Sequence, residues 1–315
     1  MNKILITGYA GQIGTALTEF LVKEHGRDNV FGTDVKKPDE PLLSLCEFSE
    51  LDVTDKDTVF DFVEKKKITT IYHMAAILSA TGENNPALAW DVNMNGLYHI
   101  LEAARIYKCA VFIPSSIAAF GPETPKNDTP QDTIQRPTSM YGVTKVAGEL
   151  LADYYFQKFG VDARGVRYPG IISYETLPGG GTTDYAVEIF YEAIKHKKYT
   201  CFLSENTLLD MMYMPDAIKA TVDLMEAEPS KLVHRNAFNI TSIPVTPKML
   251  AEAIQKIIPE FEMSYDVDPV RQAIADSWPS HMDDSVARQE WNWSPSYNLD
   301  EMVKDMIDNL RKKLL

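Results

Sequence analysis

The chain has 315 residues, of which 45% are hydrophobic and 24% are charged, as in an ordinary globular protein. Its net charge of −14 argues against a broad surface for nucleic acid or for anionic membranes. The three cysteines (Cys46, Cys109 and Cys201) form no CxxC pair, which favours a reducing cytoplasm. The N-terminus does not resemble a signal peptide, and no apolar run is long enough to cross a bilayer. The six histidines show no HxxxH spacing, so we expect no bound metal ion.

Short apolar strands alternate with helical patterns through the first half of the chain. The predicted strands are 3–8, 29–35, 69–76, 110–116 and 162–170, and the predicted helices are 12–26, 55–66, 93–108 and 141–160. This order predicts an α/β fold with a Rossmann-type doubly wound parallel sheet. We expect one domain over 1–170, its sheet completed by later segments. Residues 171–315 are expected to form mainly a smaller C-terminal substrate-binding lobe, in which 186–198 is a helix.

The sequence GYAGQIG lies between the first strand and the first helix. Gly8 can form the tight turn, Gly11 allows a pyrophosphate to approach the backbone, and Gly14 allows close packing of helix and sheet. Asp34 ends the second strand, 20 residues after Gly14, where a carboxylate accepts both hydroxyls of an adenosine ribose. The first domain is therefore predicted to bind NAD rather than NADP, although a plain turn residue is the simpler interpretation of Asp34 alone.

Two further motifs, LDVTD (51–55) and HMAA (73–76), follow predicted strands. They place Asp52, Ala75 and Ala76 at the sheet edge that a dinucleotide crosses. For the two alanines, tight core packing is the better interpretation when the residues are considered alone.

The sequence SMYGVTK (139–145) separates Tyr141 from Lys145 by one helical turn. A phenol has a pKa of ~10, and a nearby cation favours its ionised form, so the pair could transfer a proton. The preceding strand ends at Ser115 and Ser116, whose hydroxyls could bind a substrate oxygen. Each feature alone has an ordinary explanation, a solvated helix face or a polar strand end.

In their order along the chain, the glycine loop, Asp34, LDVTD, HMAA, SSIAAFG, YGVTK and RYPG resemble the extended short-chain dehydrogenase/reductases. The resemblance implies that Ser116 is the catalytic hydroxyl, Tyr141 the general base, and Lys145 its activator and a ligand of the nicotinamide ribose. It implies that Asn93 organises the proton path. The implied cofactor contacts also include Gln12, Ile13, Val53 and Tyr168.

Two departures argue against a sugar-nucleotide substrate. The chain has RYPGII where such enzymes have an asparagine, and Leu209 where they have an arginine that contacts the nucleotide. The loop 177–184 instead offers Thr182 and Thr183 to a carboxylate and Asp184 to an ammonium group. When these residues are considered alone, a helix N-cap is the slightly better explanation for that loop.

The segments 77–86, 178–190 and 271–293 resemble the short-chain-type L-threonine 3-dehydrogenases. That resemblance implies an amino-acid pocket, shaped by Ser79, Ser116, Tyr141, Thr182, Thr183, Asp184 and Trp278. The implied reaction is the NAD-dependent oxidation of L-threonine to 2-amino-3-oxobutanoate, which a coenzyme A ligase would consume. The implied assembly is a homodimer through 93–108 and 141–160. The alternatives are a sugar-nucleotide epimerase or dehydratase on the same fold and a non-catalytic NAD-sensing protein.

Overall fold

The computed structural model describes residues 2–175 and 181–315, so part of the predicted loop 177–184 lies outside the described residues. The strands are β1 (Ile4–Thr7), β2 (Val30–Asp34), β3 (Glu47–Glu50), β4 (Thr70–His73), β5 (Ala110–Phe112), β6 (Ser115–Ser116), β7 (Ala163–Arg164), β8 (Val166–Tyr168), β9 (Gly170–Ile172), β10 (Lys198–Cys201), β11 (Leu209–Tyr213), β12 (Phe238–Asn239), β13 (Ile243–Val245) and β14 (Glu262–Tyr265).

The helices are α1 (Gln12–His25), α2 (Glu40–Leu43), α3 (Lys56–Lys66), α4 (Ser79–Asn84), α5 (Pro86–Trp90), α6 (Leu97–Tyr107), α7 (Met140–Phe159), α8 (Tyr185–His196), α9 (Met214–Glu226), α10 (Pro247–Gln255), α11 (Pro269–Ser277), α12 (Ser285–Trp291) and α13 (Leu299–Leu314). None of the described helices is both long and apolar enough to span a membrane.

The chain divides into two compact units, of which the first contains a six-stranded sheet in the order β3-β2-β1-β4-β5-β7. All of its neighbouring strands are parallel; Ile4, for example, pairs with Val30 on one side and Thr70 on the other. The strand order reverses between β1 and β4, which is the switch point of a doubly wound sheet. The predicted fold class is confirmed.

Helices α3, α6 and α7 pack with the sheet strands around one hydrophobic core of the first unit. Val59 and Val63 of α3 are buried there, four residues apart on one helix face. The side chain of Asp55 caps α3 by accepting hydrogen bonds from the amides of Asp57 and Thr58, both at 3.2 Å. Asp55 is thus the N-cap residue of α3, at the start of the predicted helix 55–66.

The second unit has its own core, in which α8, α10 and α13 pack with β11 and β13. Here β11 pairs with β13 antiparallel and with β9 parallel, while β10 and β14 form a separate parallel pair. Helix α13 begins with a capping box: the Asn298 side chain accepts from the Glu301 amide, and the Glu301 carboxylate accepts from the Asn298 amide.

The two units are not contiguous in sequence, which differs from the predicted division at residue 170. The first comprises 1–119, 137–167 and 218–238, and the second comprises 120–136, 168–217 and 239–315. Segment 218–238, which contains most of α9, belongs to the first unit but adds no strand to its six-stranded sheet. Hydrophobic periodicity predicts that an element is buried but not which core it joins. The sequence therefore did not indicate that 120–136 belongs to the second unit.

Candidate active site

The phosphate loop of the first unit has the tight geometry that its glycines predict. Gly8 has φ +67°, and a Cβ there would lie 2.5 Å from the Ala75 amide nitrogen. A Cβ on Gly14 would lie 2.2 Å from the Gly8 carbonyl oxygen, whereas one on Gly11 would meet nothing nearer than 3.1 Å. Backbone therefore stays accessible at Gly11 while both neighbouring glycines are enclosed.

Helix α1 starts at Gln12 with no acidic residue in its first turn and no side chain capping its amide groups. Gln12 and Ile13 supply the first amides of this 14-residue helix, where the helix dipole favours an anion. The residues present thus fit the pyrophosphate of a dinucleotide.

Asp34 lies at the end of β2 and is partly exposed, with its Oδ2 accepting the amide of Ala10 at 3.0 Å. This bond joins the carboxylate to the phosphate loop. Asp52 is exposed beyond β3, and its Oδ1 accepts from the amide of Thr54 at 2.9 Å and from the Thr54 hydroxyl at 2.8 Å. Val53 is buried between them. The predicted cofactor residues therefore lie on loops that follow neighbouring strands β1, β2 and β3.

Ala75 and Ala76 follow β4 in the same way, and both remain partly exposed. The close approach of the Ala75 backbone to Gly8 requires that glycine, so the HMAA segment forms one wall of the phosphate loop. Residue 79, a serine, begins the short helix α4 and is also partly exposed.

Asn93 lies in a π-helical segment, Asp91–Gly96, that directly precedes α6. The Oδ1 of its side chain accepts from the Ile77 backbone amide at 2.8 Å. The Nδ2 donates to the Ile77 carbonyl at 3.0 Å and to the Thr144 hydroxyl at 3.1 Å. The predicted helix over 93–108 is thus only partly α-helical, and π-helical turns are frequent at functional sites. Asn93 joins the segment after β4 to helix α7.

Helix α7 brings the predicted catalytic residues together in the first unit. The Ser139 side chain caps the helix by accepting the Gly142 amide at 3.1 Å. A Cβ on Gly142 would lie 2.3 Å from the Ala118 carbonyl oxygen, so glycine allows this end of α7 to approach the segment after β6. The Lys145 Nζ lies 5.3 Å from the centre of the Tyr141 ring and donates to the Pro114 carbonyl at 2.7 Å.

The environment of the pair shifts both pKa values toward the neutral forms. Burial raises the pKa of Tyr141 to about 12, and hydrogen bonding from Ser116 opposes that rise. Burial lowers the pKa of Lys145 to about 8, and the charge of Glu149 opposes that fall. The expected lowering of the Tyr141 pKa therefore does not follow from the protein groups alone, because the cost of desolvating the phenolate exceeds their stabilisation.

Four residues around this pair went unnoticed in the sequence. Glu149 and Arg167 form a buried two-pronged ion pair, with both N–O distances 2.9 Å. Thr144 holds Asn93, as described above. His73, at the end of β4, is buried, and its Nδ1 lies 2.9 Å from the Thr7 hydroxyl. Glu149 follows Lys145 at the same four-residue spacing that joins Tyr141 to Lys145, and the other three lie within the motifs YGVTK, RYPG and HMAA, where no role was assigned to them.

The second unit carries the other predicted substrate residues. Thr182 is buried, and Thr183 and Asp184 are partly exposed at the start of α8. Asp184 occupies the N-cap position without capping the helix; its Oδ2 accepts the Gly181 amide at 2.7 Å. The predicted loop residues 177–180 lie outside the described residues.

Trp278 ends α11 and packs against the hydrophobic core to which Tyr185 of α8 belongs. Tyr168, a predicted cofactor residue, is buried in β8 and belongs to this second unit. The structure therefore distributes the predicted substrate residues over both units.

The sheet, the phosphate loop and the Tyr141–Lys145 pair beside Ser116 define a dinucleotide-dependent enzyme of the short-chain dehydrogenase/reductase class. The family model of the NAD dependent epimerase/dehydratase family matches residues 4–241, and the chain belongs to that family. NAD is accordingly its cofactor, as predicted.

The chain is similar along its length to proteins of known structure. An L-threonine dehydrogenase from Clostridium difficile shares 56% identity at a TM-score of 0.98, over 99% of this chain and 98% of that one. An L-threonine dehydrogenase from Phytophthora infestans shares 50% identity at a TM-score of 0.96, over 99% and 100%. An uncharacterized epimerase/dehydratase from Staphylococcus saprophyticus is 55% identical over 99% of this chain and 98% of its own length. The family and these neighbours support an oxidoreductase.

Proposed function

We propose that the protein oxidises the 3-hydroxyl of L-threonine to 2-amino-3-oxobutanoate with NAD as the hydride acceptor. The observation that carries this proposal is the Tyr141–Lys145 pair on α7 with Ser116 beside it. Similarity to L-threonine dehydrogenases over almost the whole chain supports the substrate.

Each of the three side chains has a distinct role in the proposed reaction. The Tyr141 phenolate takes the proton of the 3-hydroxyl as the C3–O bond becomes a carbonyl. The Ser116 hydroxyl donates a hydrogen bond to the same oxygen and steadies its charge. NAD, when bound, supplies the acceptor for the C3 hydride. The Lys145 cation stabilises the phenolate and binds the nicotinamide ribose.

Tyr141 must be ionised for this step, and the protein alone holds its phenol protonated. Two cations favour ionisation: the Lys145 ammonium and the oxidised nicotinamide ring. The general base is therefore expected to form only in the complex with oxidised cofactor. Asn93 positions α7 through Thr144 and so helps to fix where the phenol lies.

The proposed amino-acid contacts come from Ser79 and from the second unit. Thr182 and Thr183 would donate to the carboxylate, and Asp184 would pair with the ammonium group. Trp278 would pack against the aliphatic part of the substrate. Thr183 and Asp184 are partly exposed at the start of α8, which supports this role.

One feature of the second unit disfavours a sugar-nucleotide substrate. Leu209 is 1% exposed and belongs to the hydrophobic core of that unit, so this position offers no cation to a diphosphate. A non-catalytic NAD-sensing role is disfavoured because the chain retains Ser116, Tyr141 and Lys145 together.

The test is formation of NADH from NAD with L-threonine, compared with allo-threonine, serine and UDP-sugars. We expect NADH with L-threonine and no conversion of UDP-glucose or UDP-galactose. Epimerisation of a UDP-sugar without threonine-dependent NADH would contradict the proposal. In the proposed reaction the product is a 3-oxo acid, 2-amino-3-oxobutanoate, which we propose is consumed by a coenzyme A ligase.

We also propose a homodimer through the outer faces of α6 and α7. Tyr98 on α6 and Leu150 on α7 are large apolar side chains, 46% and 63% exposed in the single chain. Leu150→Glu is expected to yield monomers by light scattering, with Val233→Glu as the control because Val233 is 81% exposed and lies on neither helix. A Leu150→Glu variant that remains as oligomeric as the parent would contradict this interface.

A further inference from the structure

Three consecutive residues of the segment after β5 each engage a different residue of α7. The Pro114 carbonyl accepts from Lys145 at 2.7 Å. The Ser115 hydroxyl donates to the Glu149 carboxylate. The Ser116 hydroxyl hydrogen-bonds Tyr141. Since alternate residues of an extended segment point to opposite sides, Ser115 turns toward the interior while Ser116 faces the substrate side.

Glu149 is fixed in this interior position by its partners. Its side chain is 5% exposed, and each carboxylate oxygen accepts one nitrogen of the Arg167 guanidinium at 2.9 Å. Each ion of the pair offsets part of the cost of burying the other. The Glu149 carboxylate is therefore held at a fixed position inside the first unit.

Lys145 and Glu149 also line one small cavity. The cavity has a volume of about 20 Å³, and His73, Asn93 and Thr144 contribute to the same wall. The spacing of four residues places the Cα atoms of the two residues about 6 Å apart along the helix axis and their side chains on the same face. Such a cavity has room for about one water molecule, so the charges are not separated by packed side chains.

We infer that Glu149 is a positioning residue whose buried charge keeps Lys145 protonated at the alkaline pH where Tyr141 must be ionised. This inference rests on the proposed role of Lys145. The titratable groups that face Lys145 are Tyr141, Glu149 and the uncharged His73. The dipoles of Pro114, Asn93 and Thr144 face it as well. Arg167 limits the effect of Glu149 but does not cancel it, because Glu149 lines the same cavity as Lys145 and Arg167 does not.

The test is the pH profile of turnover in Glu149→Gln, measured beside the parent with saturating NAD. We expect the alkaline limb of the profile to move down by about one pH unit or more, because a negative charge on the same helix face is removed while the opposing Arg167 cation remains. The acidic limb should stay within measurement error. An unchanged alkaline limb in a folded variant that still binds NADH overturns the inference.

The matched control is Asp153→Asn, which removes a carboxylate from the same helix one turn further on. Asp153 lies about 12 Å from Lys145 along the axis, so its removal is expected to leave the alkaline limb in place. An equal shift in both variants overturns the inference, since it would reflect overall charge. Ser115→Ala tests the structural alternative: if Glu149 served only to anchor Ser115, this variant would reproduce the shift.

If Glu149→Gln alone does not fold, the double variant Glu149→Gln/Arg167→Gln removes both members of the pair and leaves no unpaired buried charge. A smaller downward shift is expected there, because the opposing charge of Arg167 is removed as well, and the absence of any shift overturns the inference. The parent enzyme separates the two hypotheses: its NADH formation with L-threonine tests the proposed function, whichever way the variants behave.

Discussion

Replacing Tyr141 by phenylalanine tests the proposed chemistry most directly, because it removes one oxygen atom from a packed site. Burial raises the pKa of this phenol to about 12. Ionising it at pH 8 in the protein alone would cost about 5.5 kcal/mol, so the phenolate is a state that the complex with oxidised NAD and Lys145 must stabilise. The variant loses this base completely, and we expect turnover to fall by about 10²–10⁴-fold, the range for general acid–base catalysis.

The assay follows NADH absorbance with NAD and L-threonine, and NADH binding is measured separately by fluorescence. Binding should stay within about twofold of the parent, because the ring of residue 141 remains and only transition-state stabilisation is lost. Tyr107→Phe is the control, since it removes a phenol oxygen from α6, where the ring packs edge-on against Phe60 at 6.1 Å. Turnover of Tyr141→Phe within about tenfold of the parent would refute the proposed base.

Other consequences follow from single sites in the first unit. Burial lowers the pKa of His73 to about 3, so between about pH 3 and pH ~6.5 the unfolded chain binds more protons than the folded one. The free energy of unfolding should therefore fall by about 2 kcal/mol between pH 7 and pH 5. Urea unfolding of His73→Asn at both pH values should show a smaller loss. Gly14→Ala puts a methyl group 2.2 Å from a backbone oxygen and should weaken NADH binding by about 100-fold or more, whereas Gly82→Ala, with its nearest contact at 3.4 Å, should leave binding unchanged in the same titration. Asp34→Ser should narrow the preference for NAD over NADP by about 10-fold or more in kcat/KM, and an unaltered ratio would show that Asp34 does not contact the ribose.

The amino-acid sequence by itself determined the class of fold and the principal residues of the candidate site. Buried strands such as 3–8 and 29–35 alternate with amphipathic helices, and this pattern depends only on which side chains avoid water. Gly8 and Gly14 could be chosen from the sequence because their requirement is local: the backbone turns tightly there, and no side chain fits. Tyr141 and Lys145 were recognisable for the same reason, since four residues of one helix fix their common face.

Only the tertiary structure decided which distant segments come into contact and how those contacts shift the pKa values of the groups they bury. Segment 120–136 belongs to the second unit and segment 218–238 to the first. Which unit each segment joins depends on long-range packing that no local pattern encodes. The pairing of Glu149 with Arg167 joins residues of α7 and β8, and the contact of Lys145 with Pro114 crosses another 31 positions. The pKa values of Tyr141 and Lys145 follow from desolvation, which is set by everything packed around a group rather than by its neighbours in sequence.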